Sequence, residues 1–328
     1  MPTVSEAASR LARLLTGQAG AAGLSDADSA HLEFLGQVQP VPLARTAPPP
    51  DCWAVDGGQA LVADARSVQV AVTRAARCRW QAGRCSLEDE GELLAHVLIG
   101  PDGGAEGRRS LAELGAPVAP GDRVDLNLLR DWSEWQLVSR CVEEAEPGAL
   151  VLVDGDLQPD WRVPADWLAG LLARAADRQV ALAGVTKHSS LARGGAPLVG
   201  QMELEAEELL GPRACWWAPI ALSRAELGPS QLVVVARLDP DARFAFRVDI
   251  PGYCDPEGLL GQLSALSDDA AFPGYPYPLS VADRLAACPE WLRAEVWSEL
   301  EGALEQAGVP EEVTQRAFAD RHSLMERR

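Results

Sequence analysis

Two short apolar runs each stop at an aspartate followed by glycine. Cys52-Trp53-Ala54-Val55 precedes Asp56-Gly57-Gly58, and Ala149-Leu150-Val151-Leu152-Val153 precedes Asp154-Gly155. Runs of this length read as buried strands. A carboxylate just past a buried strand costs free energy unless it is paired or binds a metal. Taken singly, either Asp-Gly reads as a turn, since that dipeptide commonly makes one. Two of them at the ends of neighbouring strands point instead to acidic groups gathered at one edge of a sheet. A third apolar run, Val180-Ala181-Leu182-Ala183-Gly184-Val185, ends close to Lys187. Lys187 is the single lysine among 29 basic residues; the others are arginines. It survives either by chance or because an ammonium fits there and a planar guanidinium does not.

Two further carboxylates belong with these. Glu134 lies in a stretch, 125–145, whose Leu128, Trp132, Trp135 and Val142 share one helical face. Its neighbours Leu137, Val138 and Cys141, three, four and seven positions on, are apolar, so Glu134 sits at the edge of the buried face. The alternative is a weak surface pair with Arg130 one turn earlier. Asp283 falls in a late helix after Tyr275-Pro276-Tyr277-Pro278, whose prolines stiffen the approach. Beside Arg284 it also reads as an ordinary solvated residue.

The elements that must position these groups follow from periodicity. Residues 4–16 read as an amphipathic helix and 26–36 as a second short helix. Residues 39–50 form a Pro-rich connector. The run 52–55, then 59–64 and 67–74, reads as a three-strand meander broken at Asp56-Gly57-Gly58. Residues 83–122 are Gly-rich and irregular, with one element suggested at 92–99. Beyond the 125–145 helix come a strand at 149–153, a helix at 163–178 and a strand at 179–185. Strands follow at 214–222, 231–238 and 243–250, helices at 255–267 and 279–288, and a helical tail over 290–326 broken at Pro310. Two buried strands separated by a helix form a parallel pair with a right-handed crossover. Sites in such sheets lie at the carboxyl ends of the strands.

Composition narrows the function. With 47% hydrophobic and 23% charged residues, the 328-residue chain can bury a sizeable core. Its 29 basic and 48 acidic residues give a net charge of −19, which disfavours nucleic-acid binding by charge alone. The seven cysteines form no Cys-x-x-Cys pair, which speaks against a zinc finger or disulfide framework and for a reducing cytoplasm. No apolar run is long enough to span a membrane, and the first residues make a poor secretory signal. No Gly-x-x-x-x-Gly-Lys-[Ser/Thr] is present, so no ATPase activity is expected of the chain itself. Trp216-Trp217 reads as core packing ahead of base stacking.

An aspartate on the first strand, a glutamate on the helix before the fourth, an aspartate ending the fourth and an aspartate on a late helix resemble the ribonuclease H-like nuclease arrangement. More narrowly, five motifs in order resemble the NurA nucleases. They are Ala54-Val55-Asp56-Gly57-Gly58, Leu152-Val153-Asp154-Gly155-Asp156-Leu157, Gly184-Val185-Thr186-Lys187-His188-Ser189, Arg247-Val248-Asp249-Ile250-Pro251, and Gly274-Tyr275-Pro276-Tyr277-Pro278-Leu279 through Ala282-Asp283-Arg284. The family often has Ser where Gly58 stands here, and a small residue or Pro where Asp156 stands. The resemblance implies a ribonuclease H-like α/β mixed sheet flanked by helices. It implies an N-terminal helical arm and connector over 1–45, a nuclease domain over 46–290 with 83–122 inserted, and a helical tail over 291–328. It also implies a Mn²⁺-dependent DNA nuclease, Mg²⁺ being a second candidate ion. Such an enzyme is a homodimer that works with a HerA-type hexameric ATPase on DNA ends in double-strand break repair, as a 5′–3′ exonuclease and endonuclease.

Carried over by motif, Asp56, Glu134, Asp154 and Asp283 are the expected metal ligands. Lys187 joins them in catalysis, and Tyr275, Tyr277 and His188 are the expected substrate contacts. Four carboxylates and water suit hard divalent cations, two of which would serve phosphodiester hydrolysis. Two rival readings stand beside this one. One is a NurA-like adaptor subunit of a translocase that has lost catalysis. The other is a ribonuclease or single-strand-specific enzyme on the same fold.

Overall fold

The computed structural model describes residues 3–15, 23–27, 31–36, 38–119, 121–158, 162–223 and 230–319. The last part of the expected tail, 320–326, lies outside the described residues, as does His322. In chain order the first elements are α1 (Val4–Leu15), β1 (Leu24–Asp26), β2 (Leu32–Phe34), β3 (Val41–Pro42), β4 (Asp51–Asp64) and β5 (Val68–Gln81). Next come β6 (Arg84–Asp89), β7 (Leu94–Ile99), α2 (Gly104–Glu113), α3 (Leu126–Glu144), β8 (Leu150–Asp154), α4 (Ala165–Asp177) and β9 (Ala181–Thr186). The rest are β10 (Leu191–Arg193), β11 (Ala196–Pro197), α5 (Leu198–Leu210), β12 (Trp216–Ser223), β13 (Gln231–Arg237), β14 (Phe246–Pro251), α6 (Pro256–Ala265), α7 (Tyr277–Ala286), α8 (Glu290–Gln306) and α9 (Glu311–Phe318).

One large mixed sheet runs in the order β2-β12-β13-β14-β9-β8-β4-β5-β6, with β3 on β12 and β7 on β5. Its centre is parallel. Cys52 to Val55 of β4 pair with Leu150 to Val153 of β8, and Leu150 to Asp154 of β8 with Ala181 to Val185 of β9. These strands carry almost nothing but apolar residues because both faces are covered. Ala54, Val55, Leu150, Val151 and Leu182 are closed off from solvent. Each large side chain of this kind contributes roughly 1.5–3 kcal/mol through burial. The parallel pair expected from 149–153 and 179–185 is present, joined by α4, which buries Leu168, Leu171, Leu172 and Ala175.

The chain divides into two compact units. The first comprises 1–55, 78–88 and 138–281. Its antiparallel wing, β14, β13 and β12, packs α5 through Leu198, Met202 and Ala206 against Trp216, Ala218 and Val233. A small sheet, β1-β10-β11, completes that unit. The second comprises 56–77, 89–137 and 282–328. In it β7 pairs with β5, from Val68 opposite Ile99 to Thr73 opposite Leu94. Leu111 of α2 is buried, and α8 and α9 meet through Trp297 and Phe318, whose ring centroids are 5.5 Å apart.

Three readings are corrected. The described residues of 26–36 hold the end of β1 and all of β2 instead of a helix, because each strand finds another to pair with: β1 lies on β10 and β2 on β12. The supposed meander is two long strands, since β4 does not stop at Asp56 and turns only at Ala65-Arg66-Ser67, with Arg66 at φ 67. The stretch 83–122 carries β6 and α2 in addition to the element expected at 92–99, which is β7. No helix among the described residues is long and apolar enough to cross a membrane.

His96 on β7 is 4% exposed, and its Nε2 lies 2.8 Å from Thr73 Oγ1. Burial lowers its pKa from 6.5 to about 4. The ring is therefore neutral in the fold while the unfolded chain binds a proton below about pH 6.5. Stability from this group is complete above that value and is lost as pH falls towards 4. We expect His96 to cost up to about 3 kcal/mol of unfolding free energy between pH 7 and pH 4. Denaturant unfolding of wild type and His96→Gln at both pH values isolates the effect. Parallel pH profiles would contradict it.

Candidate metal centre

Asp56 and Asp154 meet through strand register. Val55 of β4 stands opposite Val153 of β8, so the next residue on each parallel strand is an aspartate. Asp154 ends β8 and Lys187 follows the end of β9, as expected. Asp56 instead lies inside β4. The strand continues because Gly57 and Gly58 leave room for helices. A Cβ on Gly58 would stand 1.8 Å from the carbonyl oxygen of Ala286 at the end of α7. A Cβ on Gly57 would stand 2.8 Å from Oε2 of Glu134 on α3. The glycine pair read from sequence as a strand end is thus a place of close helix approach.

Asp56, Asp154 and Asp283 each offer one carboxylate oxygen, and these atoms lie within 4.8 Å of one another. Asp56 is 8% exposed and its Oδ1 accepts from the N–H of Gly57 at 2.7 Å. Glu134 is not in that group of three. It is buried against Gly57, as its place on the helix face implied, and Arg130 pairs with Asp131 at 2.6 Å. Three oxygen-donor carboxylates fit a hard divalent cation such as Mg²⁺ or Mn²⁺.

Lys187 Nζ lies 2.6 Å from Asp154 Oδ2 and 5.1 Å from the centroid of the Tyr275 ring. Its charge offsets one carboxylate, and the ring face favours the cation. Tyr275 is buried and packs on Phe246 at 5.3 Å, and Tyr277 meets Trp80 edge-on at 4.6 Å. Tyr275 therefore supports Lys187 with its ring. His188 is exposed beside a cavity of about 240 Å³, shared with Thr186, Lys187, Ser189, Ala245 and Arg247.

Arg247 and Asp249, both in the fourth motif, form a buried ion pair. Arg247 is buried, and its guanidinium grips Asp249 through Nε at 2.8 Å and Nη2 at 3.1 Å. Its Nη1 donates to Asp26 at 2.9 Å and lies 3.7 Å from Asp156. Asp249 Oδ2 also accepts from the N–H of Leu157 at 3.2 Å and from Gln158 Nε2 at 2.8 Å. The loop after Asp154 is thereby tied to β14. Burial, with Asp249 nearby, pushes the Asp156 carboxyl up to about 6. The sequence signal was the i, i+2 spacing of Arg247 and Asp249, which puts both on one face of a strand.

No family model matches the sequence, and no curated protein matches it. Solved structures do. The chain is similar to the NurA nuclease from Sulfolobus solfataricus, with a TM-score of 0.57 at 15% identity over 93% of this chain and 94% of that one. A second NurA structure aligns at 8% identity over 74% of this chain and 86% of that one, TM-score 0.44. The catalytic domain of human Endonuclease V aligns at 17% identity over 94% of this chain and 100% of that one, TM-score 0.41. The similarity to the Sulfolobus protein shows the fold alone: a large mixed α/β sheet flanked by helices, as in that structure.

Gly58→Ala tests the close approach. The added methyl has no room against the Ala286 carbonyl, so α7, which carries Asp283, must shift. We expect a loss of about 1–3 kcal/mol in stability. Thermal unfolding checks it, and a melting temperature equal to wild type would contradict the packing described.

Proposed function

We propose that the protein is a Mn²⁺-dependent deoxyribonuclease that hydrolyses phosphodiester bonds at DNA ends. The observation that carries this reading is the approach of Asp56, Asp154 and Asp283 to within 4.8 Å. The NurA-type fold supports it. Asp56, Asp154 and Asp283 would hold the cation, with Glu134 as a fourth ligand and room in the donor set for a second ion. When bound, such a cation activates a water and offsets charge on the leaving oxygen. The chain's own groups do the rest. Lys187 presents an ammonium beside Asp154, where a phosphate oxygen can take a hydrogen bond, and Tyr275 steadies it from below. His188 and Tyr277 would be further contacts to the substrate. The buried Arg247–Asp249 pair fixes the loop that follows Asp154.

A net charge of −19 opposes approach of long duplexes, because counterion release is the main source of nonspecific affinity. The reading therefore includes a homodimer fed with DNA by a HerA-type hexameric ATPase, acting as a 5′–3′ exonuclease and endonuclease in double-strand break repair.

The test is cleavage of plasmid and end-labelled oligonucleotides with Mn²⁺, Mg²⁺ or EDTA. We expect Mn²⁺-dependent cleavage, lost in EDTA and stimulated by a HerA-type ATPase with ATP. Asp56→Asn and Asp154→Asn should each lower the rate about 100-fold or more while the protein remains folded. Retained activity in either variant sinks the site assignment. No cleavage by wild type with any ion favours the adaptor reading.

Lys187→Arg should not be conservative. The ammonium sits between a carboxylate and a ring face, and a planar guanidinium reaches further and donates as a fork. Single-turnover cleavage should slow about 10-fold or more. A wild-type rate would make Lys187 an ordinary charge.

A further inference from the structure

Among the described residues, two of the three most exposed aromatic rings lie on adjoining loops. Phe244 is 54% exposed and Phe272 is 68% exposed; the third, Trp291, lies elsewhere on α8. Phe244 belongs to the turn between β13 and β14, and Phe272 to the turn between α6 and α7. The two turns touch. A Cβ on Gly274 would stand 2.4 Å from the Cβ of Ala242 and 3.6 Å from the carbonyl oxygen of Phe244.

Both turns are held by their own backbone. The N–H of Ala242 donates to Asp239 O at 3.1 Å, Phe272 N–H to Asp269 O at 3.1 Å, and Gly274 N–H to Ser267 O at 2.7 Å. The rings are thus displayed from preformed frames, which lowers the ordering cost of binding. Both frames also run directly into the candidate centre. Two residues past Phe244 is Phe246, and three past Phe272 is Tyr275; those two rings pack at 5.3 Å. Lys187 lies over Tyr275 and contacts Asp154. Arg243 adds a positive charge at the rim, its guanidinium carbon 5.1 Å from the centroid of the Phe244 ring.

We propose that Phe244 and Phe272 form a stacking platform for the unpaired bases of a single DNA strand entering the carboxylate centre. This deepens the nuclease reading and rests on it. Base–aromatic stacking has no sequence preference and does not depend on protein charge. It is the form of affinity open to a chain of net charge −19, for which phosphate attraction is weak. The platform makes a single-stranded end, and not an intact duplex, the species that engages first.

The test separates the two readings. Anisotropy of a fluorescent 12-mer oligo(dT) and of a blunt duplex of equal length is measured on the full chain in an Asp154→Asn background. We expect Phe244→Ala and Phe272→Ala each to weaken oligo(dT) binding about 10-fold. Phe272→Trp should restore it, and duplex binding should not change. The slope of log affinity against log salt should stay constant, since no phosphate contact is removed. With Asp154 intact, KM for single strands should rise and kcat should hold.

Unchanged oligo(dT) affinity, or an equal loss on duplex, overturns the platform. A drop in oligomeric state in either alanine variant also overturns it, by placing the rings in a self-association interface. Phe-dependent oligo(dT) binding without metal-dependent cleavage by wild type leaves the platform and removes the nuclease reading. Cleavage with no Phe dependence removes the platform alone.

Discussion

A guanidinium shut away from water needs carboxylates around it, and Arg247 gathers them from three separate parts of the chain. Asp249 comes from its own strand, Asp26 from β1 and Asp156 from the loop after β8. Taking one partner away from a buried pair typically costs about 3–5 kcal/mol, because the remaining charge is left stranded. Burial first, and the negative charge of Asp249 second, push the Asp156 carboxyl up to about 6. The structural effect of the cluster is local. Asp249 receives the N–H of Leu157 and the amide of Gln158, so the chain leaving Asp154 has one course to follow. Arg247 stands opposite Thr186, the residue before Lys187. The two groups at the ends of β8 and β9 are therefore set by the same ion cluster. Gly184 is part of this packing: a Cβ there would stand 2.5 Å from the carbonyl oxygen of Gly155.

Much of this was readable in the sequence, where one residue type and one period dominate. The runs at 52–55, 149–153 and 180–185 are too apolar to be anything but covered strands, and they form the parallel centre. The helical face of Leu128, Trp132, Trp135 and Val142 is buried as its spacing required. What could not be read depended on partners distant in the chain. Gly57-Gly58 looks like a turn until Ala286 and Glu134 are seen to press on it. Leu24–Asp26 and Leu32–Phe34 become strands only because β10 and β12 offer edges to pair with. Helix α5 is not among the expected elements, although Leu198, Met202 and Ala206 recur at the helical interval and are buried. The Asp56–Asp154 juxtaposition followed from two similar motifs, while the approach of Asp283 needed α7 to be placed.

Lys187 bears on how the protein can be handled as well as on its chemistry. Apart from the α-amino group, it is the single primary amine in the chain, and about a third of its side chain is open to solvent. Amine-reactive reagents thus meet one side chain, placed against Asp154. Acylation there would strip the ammonium from the carboxylate cluster without touching any of the 28 arginines. A dye or a mass tag on that nitrogen would report on the centre itself, and whatever occupies the centre would show as protection from labelling.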